Sequence, residues 1–457
     1  MPSPSRSAAS APGSPAGHHR GATGHPRGGD SGLTTTAGNE PGRVAADRPA
    51  RPTRPERPLG SWLHSVQHAL DRPLTSYYLL LGAATLLLTI GLMMVLSASS
   101  VYSYKLYGNS YHVFLRQLTF VALGLPVAFV VSLLPHKLIR ALAWPGLVIA
   151  VVLLALTKTG LGFEANGNQN WLSLGPLRIQ PSEVAKLALI LWCADLYARK
   201  EKLLGDWRHV LFPMAPVAAA VVGMVVWQKD LGTALVLFAI VLGMLWVVGA
   251  PAKLFVMGLT SVGVLVLWLA TTSQERLERL TNFADPFKDY QGAGWQSAHG
   301  LFAMSSGGVF GKGISASQQK WGSLPEAHTD FIFAVLGEEL GLVGTLLVLV
   351  LFLTIAYAGI RVALRTDNAF VRFMAAGITI WLTVQMMINV GMVLALLPVI
   401  GIPLPLVSYG GSALLPSLVA LGLLVSFARH EPGAKAALRA RRRRRTPAGV
   451  TAGGVGR

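Results

Sequence analysis

Cysteine is nearly missing from these 457 residues, and the single Cys193 excludes any intramolecular disulfide. Charge is scarce as well. Only 13% of the chain is Asp, Glu, Lys or Arg, and the acidic residues are outnumbered, 21 against 39. The first 60 residues lack an apolar h-region, so no cleavable signal peptide is expected and the first apolar span takes over as the insertion signal. No internal repeat at a fixed period is seen, which removes the fixed-period repeat architectures and leaves transporter-type inverted repeats open.

What is present is hydrophobic sequence, 52% of the total, gathered into long runs. A helix needs about 20 apolar residues to cross about 30 Å of hydrocarbon. Ten runs fit: 76–97, 117–134, 141–157, 183–198, 210–227, 233–250, 253–271, 338–360, 370–398 and 412–428. The expected fold class is therefore an all-α polytopic membrane protein of about ten transmembrane helices. A large loop, 272–330, separates the seventh from the eighth. Short loops on the side of the two tails carry more Lys and Arg than those on the other side, so the termini are expected in the cytoplasm and the large loop outside it.

Three regions follow. Residues 1–75 form a basic N-terminal tail, rich in Pro, Gly, Ser and Arg and too poor in apolar surface to fold alone; a short interfacial helix is expected over 61–74. Residues 76–428 form the membrane core, and 429–457 a second basic tail. Most of the net charge of +18 sits in the tails, with nine Lys/Arg against five Asp/Glu in 1–75 and nine against one in 429–457. Arg441 to Arg445 follow a span closely, which favours anionic lipid headgroups as partners over nucleic acid.

Four stretches break the apolar pattern in a way that bears on chemistry. Between the third and fourth spans, Asn170-Trp171 is followed by Gln180-Pro181-Ser182-Glu183 and Lys186; Pro181 is a fitting helix start, and Glu183 and Lys186 share one face at i, i+3. They read either as a cap with a structural ion pair or as the polar wall of a substrate cavity. Lys229-Asp230-Leu231-Gly232-Thr233 joins two very apolar spans. Gly307-Gly308-Val309-Phe310-Gly311-Lys312-Gly313 lies in the large loop; its glycine spacing fails the phosphate-loop pattern, and Gly313 stands where Ser or Thr would hold magnesium, so nucleotide binding is excluded. Such glycines let backbone approach a turn or a phosphate closely, and Phe302, Met304, Val309 and Phe310 suggest that the segment packs back on the membrane core.

Most informative is Leu324-Pro325-Glu326-Ala327-His328-Thr329-Asp330-Phe331 with Gly337-Glu338-Glu339-Leu340-Gly341, which puts four carboxylates and a histidine at the edge of an apolar span. Charge at such a boundary usually lines a pathway or a site. The last hairpin, Pro398 to Ser412, holds Ser408-Tyr409-Gly410-Gly411, irregular backbone of the kind tolerated at membrane depth only against protein or a cavity. An intramembrane protease built from Ser412, His328 and Asp330 is excluded by Leu414, where a nucleophile elbow needs glycine.

In order and spacing these stretches, across roughly residues 76–428, resemble the SEDS family, and its cell-division members more than its elongation members. The resemblance implies a peptidoglycan glycosyltransferase that polymerises lipid II on the outer face of the cell membrane during septal wall synthesis. The family's essential aspartate falls on Asp330. Its substrate-binding positions fall on Trp171, Glu183, Lys186 and Asp230, with Lys312, Ser408, Gly410 and Gly411 added from the glycine-rich segments. The implied partners are lipid II, a class B penicillin-binding transpeptidase and other division proteins. Two departures stand out: Asn170 replaces the basic residue that often precedes the family tryptophan, and Lys229 replaces a proline.

Chemically, Asp330 is the candidate general base for the acceptor hydroxyl. An ordinary aspartate, at a pKa of about 3.9, needs burial or the negative charge of Glu183 and Asp230 to serve there, and Lys186 nearby would oppose the shift. Lys312, Arg276, Arg178 or a divalent cation, Mg2+ or Mn2+, would offset the charge of the leaving diphosphate, and no metal-ligand spacing is evident. The competing readings are a lipid II flippase or transporter using Glu183, Lys186 and Asp230 as a polar site, and an elongation-type polymerase. Gly341, Gly344, Ala376 and Gly377 are the small residues on which a partner's helix would pack.

Overall fold

The computed structural model describes residues 72–434 except 166–167, 176, 272–276, 278–282, 284 and 293. The expected interfacial helix, Arg276 and most of both tails lie outside the described residues. In chain order the helices are α1 (Thr75–Tyr107), α2 (His112–Leu133), α3 (His136–Ala141), α4 (Ala143–Leu156), α5 (Pro181–Arg199), α6 (Trp207–Leu211), α7 (Met214–Trp227), α8 (Leu231–Val248), α9 (Ala252–Thr271), α10 (Trp295–Ser306), α11 (Ile332–Arg365), α12 (Ala369–Val393) and α13 (Gly411–Ala428).

Each of the ten expected runs coincides with a helix. By length and composition seven of the described helical segments can cross a membrane, two more (in α4 and α9) are apolar but shorter, and α5 carries charge along its length. The fold is thus all-α and polytopic, and the figure of ten spans stays an expectation. One small sheet interrupts it. β1 (Gly162–Ala165), β2 (Asn168–Leu174) and β3 (Leu177–Ile179) pair antiparallel in that order between α4 and α5, with Trp171 opposite Phe163.

Small residues bring the helices together. A side chain at Gly359 of α11 would strike Thr379 of α12, one at Gly377 of α12 would strike Ile190 of α5 and Met244 of α8, and one at Gly422 of α13 would strike the Ala128 backbone of α2. Of the small residues expected to receive a partner's helix, Gly377, Ala376 and Gly341 are used inside this chain. Gly377 and Ala376 are buried against neighbouring helices, and a side chain at Gly344 would meet Leu340.

Helix α11 starts six residues before the expected span, so Glu338 and Glu339 lie in its interior and not at its start. It breaks at Gly341, whose φ of 66° and ψ of −162° are not helical. The backbone groups near the break are taken by the glycine-rich segment. Lys312 N donates to Glu338 O at 3.0 Å, Gly313 N to Glu339 O at 3.0 Å, Leu342 N to Gly308 O at 3.0 Å and Val343 N to Val309 O at 3.1 Å. Irregular backbone at such a place is stable only when its polar groups are satisfied. Gly311 and Gly341 touch backbone to backbone, so the glycines serve this close approach. Met304 packs on the core as expected, whereas Phe310 is 83% exposed.

Candidate functional site

Asp330 sits in a tight loop just before α11. Glu326 opens the loop in the left-handed region at φ 54°, and its carbonyl accepts from both Thr329 N and Phe331 N at 3.1 Å. Leu324, Ala327 and Phe331 are buried and anchor it from below. Three consecutive carbonyls are then held from outside the loop. Tyr409 N donates to His328 O at 3.0 Å, Ser408 Oγ to Thr329 O at 2.6 Å, and Asn389 Nδ2 to Asp330 O at 2.8 Å. The backbone carrying the Asp330 carboxylate is fixed by the 398–412 hairpin and α12 together.

Burial, then the negative charges of Glu326 and Asp230, push the Asp330 carboxyl up to about 7. The sequence expected Glu183 in that role; Glu326 acts instead. His328 stacks between Tyr102 and Tyr409, with ring centroids 4.8 and 5.5 Å away, and burial holds its pKa below the usual imidazole value while Glu326 opposes the shift.

Asp230 caps α8. Its Oδ1 accepts from Thr233 N at 3.0 Å, and Oδ2 from Thr233 Oγ1 at 3.0 Å, Asn170 Nδ2 at 2.9 Å and Gln180 Nε2 at 3.0 Å. Asn170, standing where a basic residue resembles the family better, is thus a ligand of Asp230. Glu183 and Lys186 form the pair the i, i+3 spacing predicts, at 2.9 Å and almost fully buried. Lys186 Nζ also donates to Gln385 Oε1 at 2.8 Å and lies 5.2 Å from the centre of the Trp381 ring. Gln385 passes the connection on by donating to Pro403 O at 3.0 Å. Asn170 Oδ1, Ser182 Oγ, Glu183 Oε2 and Asn389 Oδ1 are buried without a hydrogen-bond partner. Orphaned acceptors of this kind fit a ligand rich in hydroxyl and amide donors.

Lys312 departs from expectation. Its Nζ is paired with Glu338 Oε1 at 2.9 Å, and Glu338, fully buried, also accepts from Ser317 Oγ at 2.6 Å and Gln318 N at 3.0 Å. The lysine neutralises a buried carboxylate and is not a free cation for a diphosphate. Glu339 is used in the same way by Lys320 and Ser97. Of the other residues read from the sequence, Ser408 accepts from Leu404 N at 2.8 Å while donating to Thr329, so its hydroxyl shapes the hairpin. Gly410 N donates to Gln117 Oε1 at 3.2 Å, and Gly411 packs against the Phe120 ring with no room for a side chain. Trp171 is half-buried in β2, and the Arg178 guanidinium lies 4.5 Å from the centre of the Phe163 ring, opposite it.

Sequence reasoning passed over Gln117, Gln385 and Asn389, which are buried polar residues on apolar helices. The i, i+4 spacing of Gln385 and Asn389 was the available clue. It also passed over Arg116, half-buried in the first turns of α2, which lies close to the Tyr409 side chain. Among the described residues no three Asp, Glu, His or Cys side chains converge in a way that could hold a metal ion, so no step is assigned to the Mg2+ or Mn2+ that the sequence admitted.

Residues 77–432 match the family model of the FtsW, RodA and SpoVE cell cycle proteins. A Mycobacterium tuberculosis protein named "Probable peptidoglycan glycosyltransferase FtsW" is 39% identical over 412 residues, 90% of this chain and 77% of that protein. Stage V sporulation protein E of Bacillus subtilis is 38% identical over 359 residues, 78% of this chain and 98% of its own. Among solved structures, a chain from a peptidoglycan synthase complex that coordinates polymerization and crosslinking superposes with a TM-score of 0.62 at 30% identity, covering 77% of this chain and 97% of that one. The Thermus thermophilus rod shape determining protein RodA superposes at 0.57 and 29%, covering 78% and 97%.

Proposed function

The chain belongs to the SEDS family of FtsW, RodA and SpoVE cell cycle proteins, and on that premise we propose that it is an FtsW-like peptidoglycan glycosyltransferase of the multi-pass membrane class. The substrate we propose is lipid II, an undecaprenyl-diphosphate-linked disaccharide peptide, polymerised at the division septum on the face that carries the 272–330 loop. Both termini then lie in the cytoplasm, where their basic residues meet anionic lipid.

The observation that carries this reading is Asp330: a carboxylate raised to about 7, held on a rigid loop beside acceptor-rich walls. A general base is most effective when its pKa lies near the working pH. The sugar hydroxyl of one lipid II attacks the anomeric carbon of another and gives its proton to Asp330. The new glycosidic C–O bond forms as the bond from that carbon to the diphosphate oxygen breaks, and the lipid diphosphate leaves with the bonding pair. Glu183, Asp230 and Trp171 line the sugar-binding wall in this reading, with Lys186 paired to Glu183 and holding it in place. Because Lys312 is spent on Glu338, Arg116 beside Tyr409 and His328 is the cation we place near the leaving diphosphate.

A class B penicillin-binding transpeptidase is the proposed partner, since the superposable chain of the synthase complex acts in polymerization coordinated with crosslinking. Other division proteins would bind the tails. The test is purified full-length protein with lipid II, with and without that partner. Glycan polymer is the expected product, and leaflet exchange without polymer would favour the flippase.

A further inference from the structure

We infer that Asn389 is the positioning residue of the reaction: its one side-chain amide ties the Asp330 backbone to the 398–412 hairpin and so sets where the Asp330 carboxylate stands. This rests on the reading of Asp330 as general base.

The Asn389 side chain is fully buried, and its Nδ2 donates to two carbonyls at once, Asp330 O at 2.8 Å and Ile402 O at 2.7 Å. An amide nitrogen has two hydrogens, so both are consumed, one on each side of the gap between the base loop and the hairpin. Aspartate has the same shape but offers no donor when ionised. Serine offers one donor, and alanine none. One turn earlier on α12, Gln385 donates to Pro403 O, the carbonyl next to Ile402, and accepts from Lys186. The two side chains hold neighbouring carbonyls of the hairpin from one helix face, with Asp330 attached at one end and the Glu183–Lys186 pair at the other.

The carbonyl that Asn389 holds belongs to Asp330 itself, so a shift of that peptide moves the carboxylate directly. Gly401, adjacent to the bridged Ile402, is the residue whose Cα faces Asp330, and a side chain there would stand 3.5 Å from Oδ2. The bridge therefore sets the separation of the carboxylate from the backbone opposite it. Ser408 and Tyr409 still hold the two preceding carbonyls, so without the bridge it is the Asp330 peptide itself that shifts, and the carboxyl that burial raises moves toward its ordinary value as that burial is lost.

The test compares Asn389→Ala and Asn389→Ser in the purified full-length protein with lipid II. Misplacing a reacting group by about 1 Å costs on the order of 10²-fold. Asn389→Ala is expected to lower kcat by about tenfold or more with KM within about twofold, and to move the acid limb of the pH–rate profile to lower pH. Asn389→Ser, with one donor left, should fall between the two, and it keeps the test decisive if the alanine variant does not fold. In a chain that already carries Asp330→Glu, whose carboxylate is displaced by a methylene, Asn389→Ala should cost little more. A folded serine or alanine variant with the wild-type limb, or with a loss fully additive to that of Asp330→Glu, overturns the proposal. Failure of the base reading has its own signature, because Asp330→Asn would then remain active whatever residue 389 does.

Discussion

Lys320 and Glu339 meet at 2.9 Å with side chains 2% and 0% exposed, and Ser97 of α1 bonds both of them. A charged pair this deep persists only because each partner neutralises the other. It joins the loop after α10, the broken helix α11 and helix α1 at one point. Together with Lys312 and Glu338 it explains why two adjacent glutamates occur in an apolar stretch of α11: they are fastenings for the loop.

Removing one member of a buried pair leaves an uncompensated charge and typically costs about 3–5 kcal/mol. Lys320→Met should therefore lower the thermal midpoint in detergent sharply. Lys312→Met should lower it less, because Lys312 is 30% exposed and water screens the change. Neither is expected to raise KM for lipid II in the protein that remains folded. A selective rise in KM with Lys312→Met at unchanged midpoint would return that lysine to the substrate.

Much of the frame was legible from the residues. Apolar runs long enough for a bilayer fixed the helices, Pro181 marked a helix start that the structure keeps, and the spacing of Glu183 and Lys186 announced their pair. What stayed hidden was pairing between distant segments. Nothing local in Gly311-Lys312-Gly313 says that its backbone completes a break at Gly341, or that Lys312 ends on Glu338. Asn389 and Gln385 were hidden for a related reason: a polar residue on an apolar span shows that a partner exists without saying which carbonyl it holds.

Small residues on α11 and α12 make a second case. Gly377 packs on Ile190 and Met244 within this chain. Gly377→Leu is expected to destabilise by about 1–3 kcal/mol through overpacking. The folded fraction should still co-purify with the transpeptidase. Loss of co-purification at unchanged stability would show that the partner reaches this glycine.

Arg116 gives a third. It lies where the Tyr409 side chain and the His328 ring adjoin the Asp330 loop, and among the described residues no carboxylate is paired with it. If it meets the developing charge on the diphosphate, Arg116→Ala should lower kcat by about 10²-fold or more, as removal of a single transition-state donor does elsewhere. Arg116→Lys should recover part of the loss. An Arg116→Ala protein with unchanged kinetics would remove the arginine from the mechanism.

The last prediction concerns Asp330 and pH. Asparagine keeps the shape and the hydrogen-bonding capacity of aspartate but cannot take a proton, so Asp330→Asn should lower the polymerisation rate by about 10²–10⁴-fold. Glu326→Gln should cost less; by removing a neighbouring negative charge it should lower the Asp330 pKa and move the acid limb to lower pH. In the wild-type protein the base is active when ionised, so the rate should rise with pH through about 7. Stability should run the other way. Because folding raises this carboxyl above its unfolded value, its stabilising contribution is full below the unfolded pKa and is lost as pH climbs through about 7. Asp330→Asn should abolish that part of the pH dependence and leave the protein at least as stable at pH 8, whereas a merely structural aspartate would give lower thermal stability with only partial loss of activity. A folded Asp330→Asn protein that polymerises lipid II at more than about a tenth of the wild-type rate would mean that another group takes the proton.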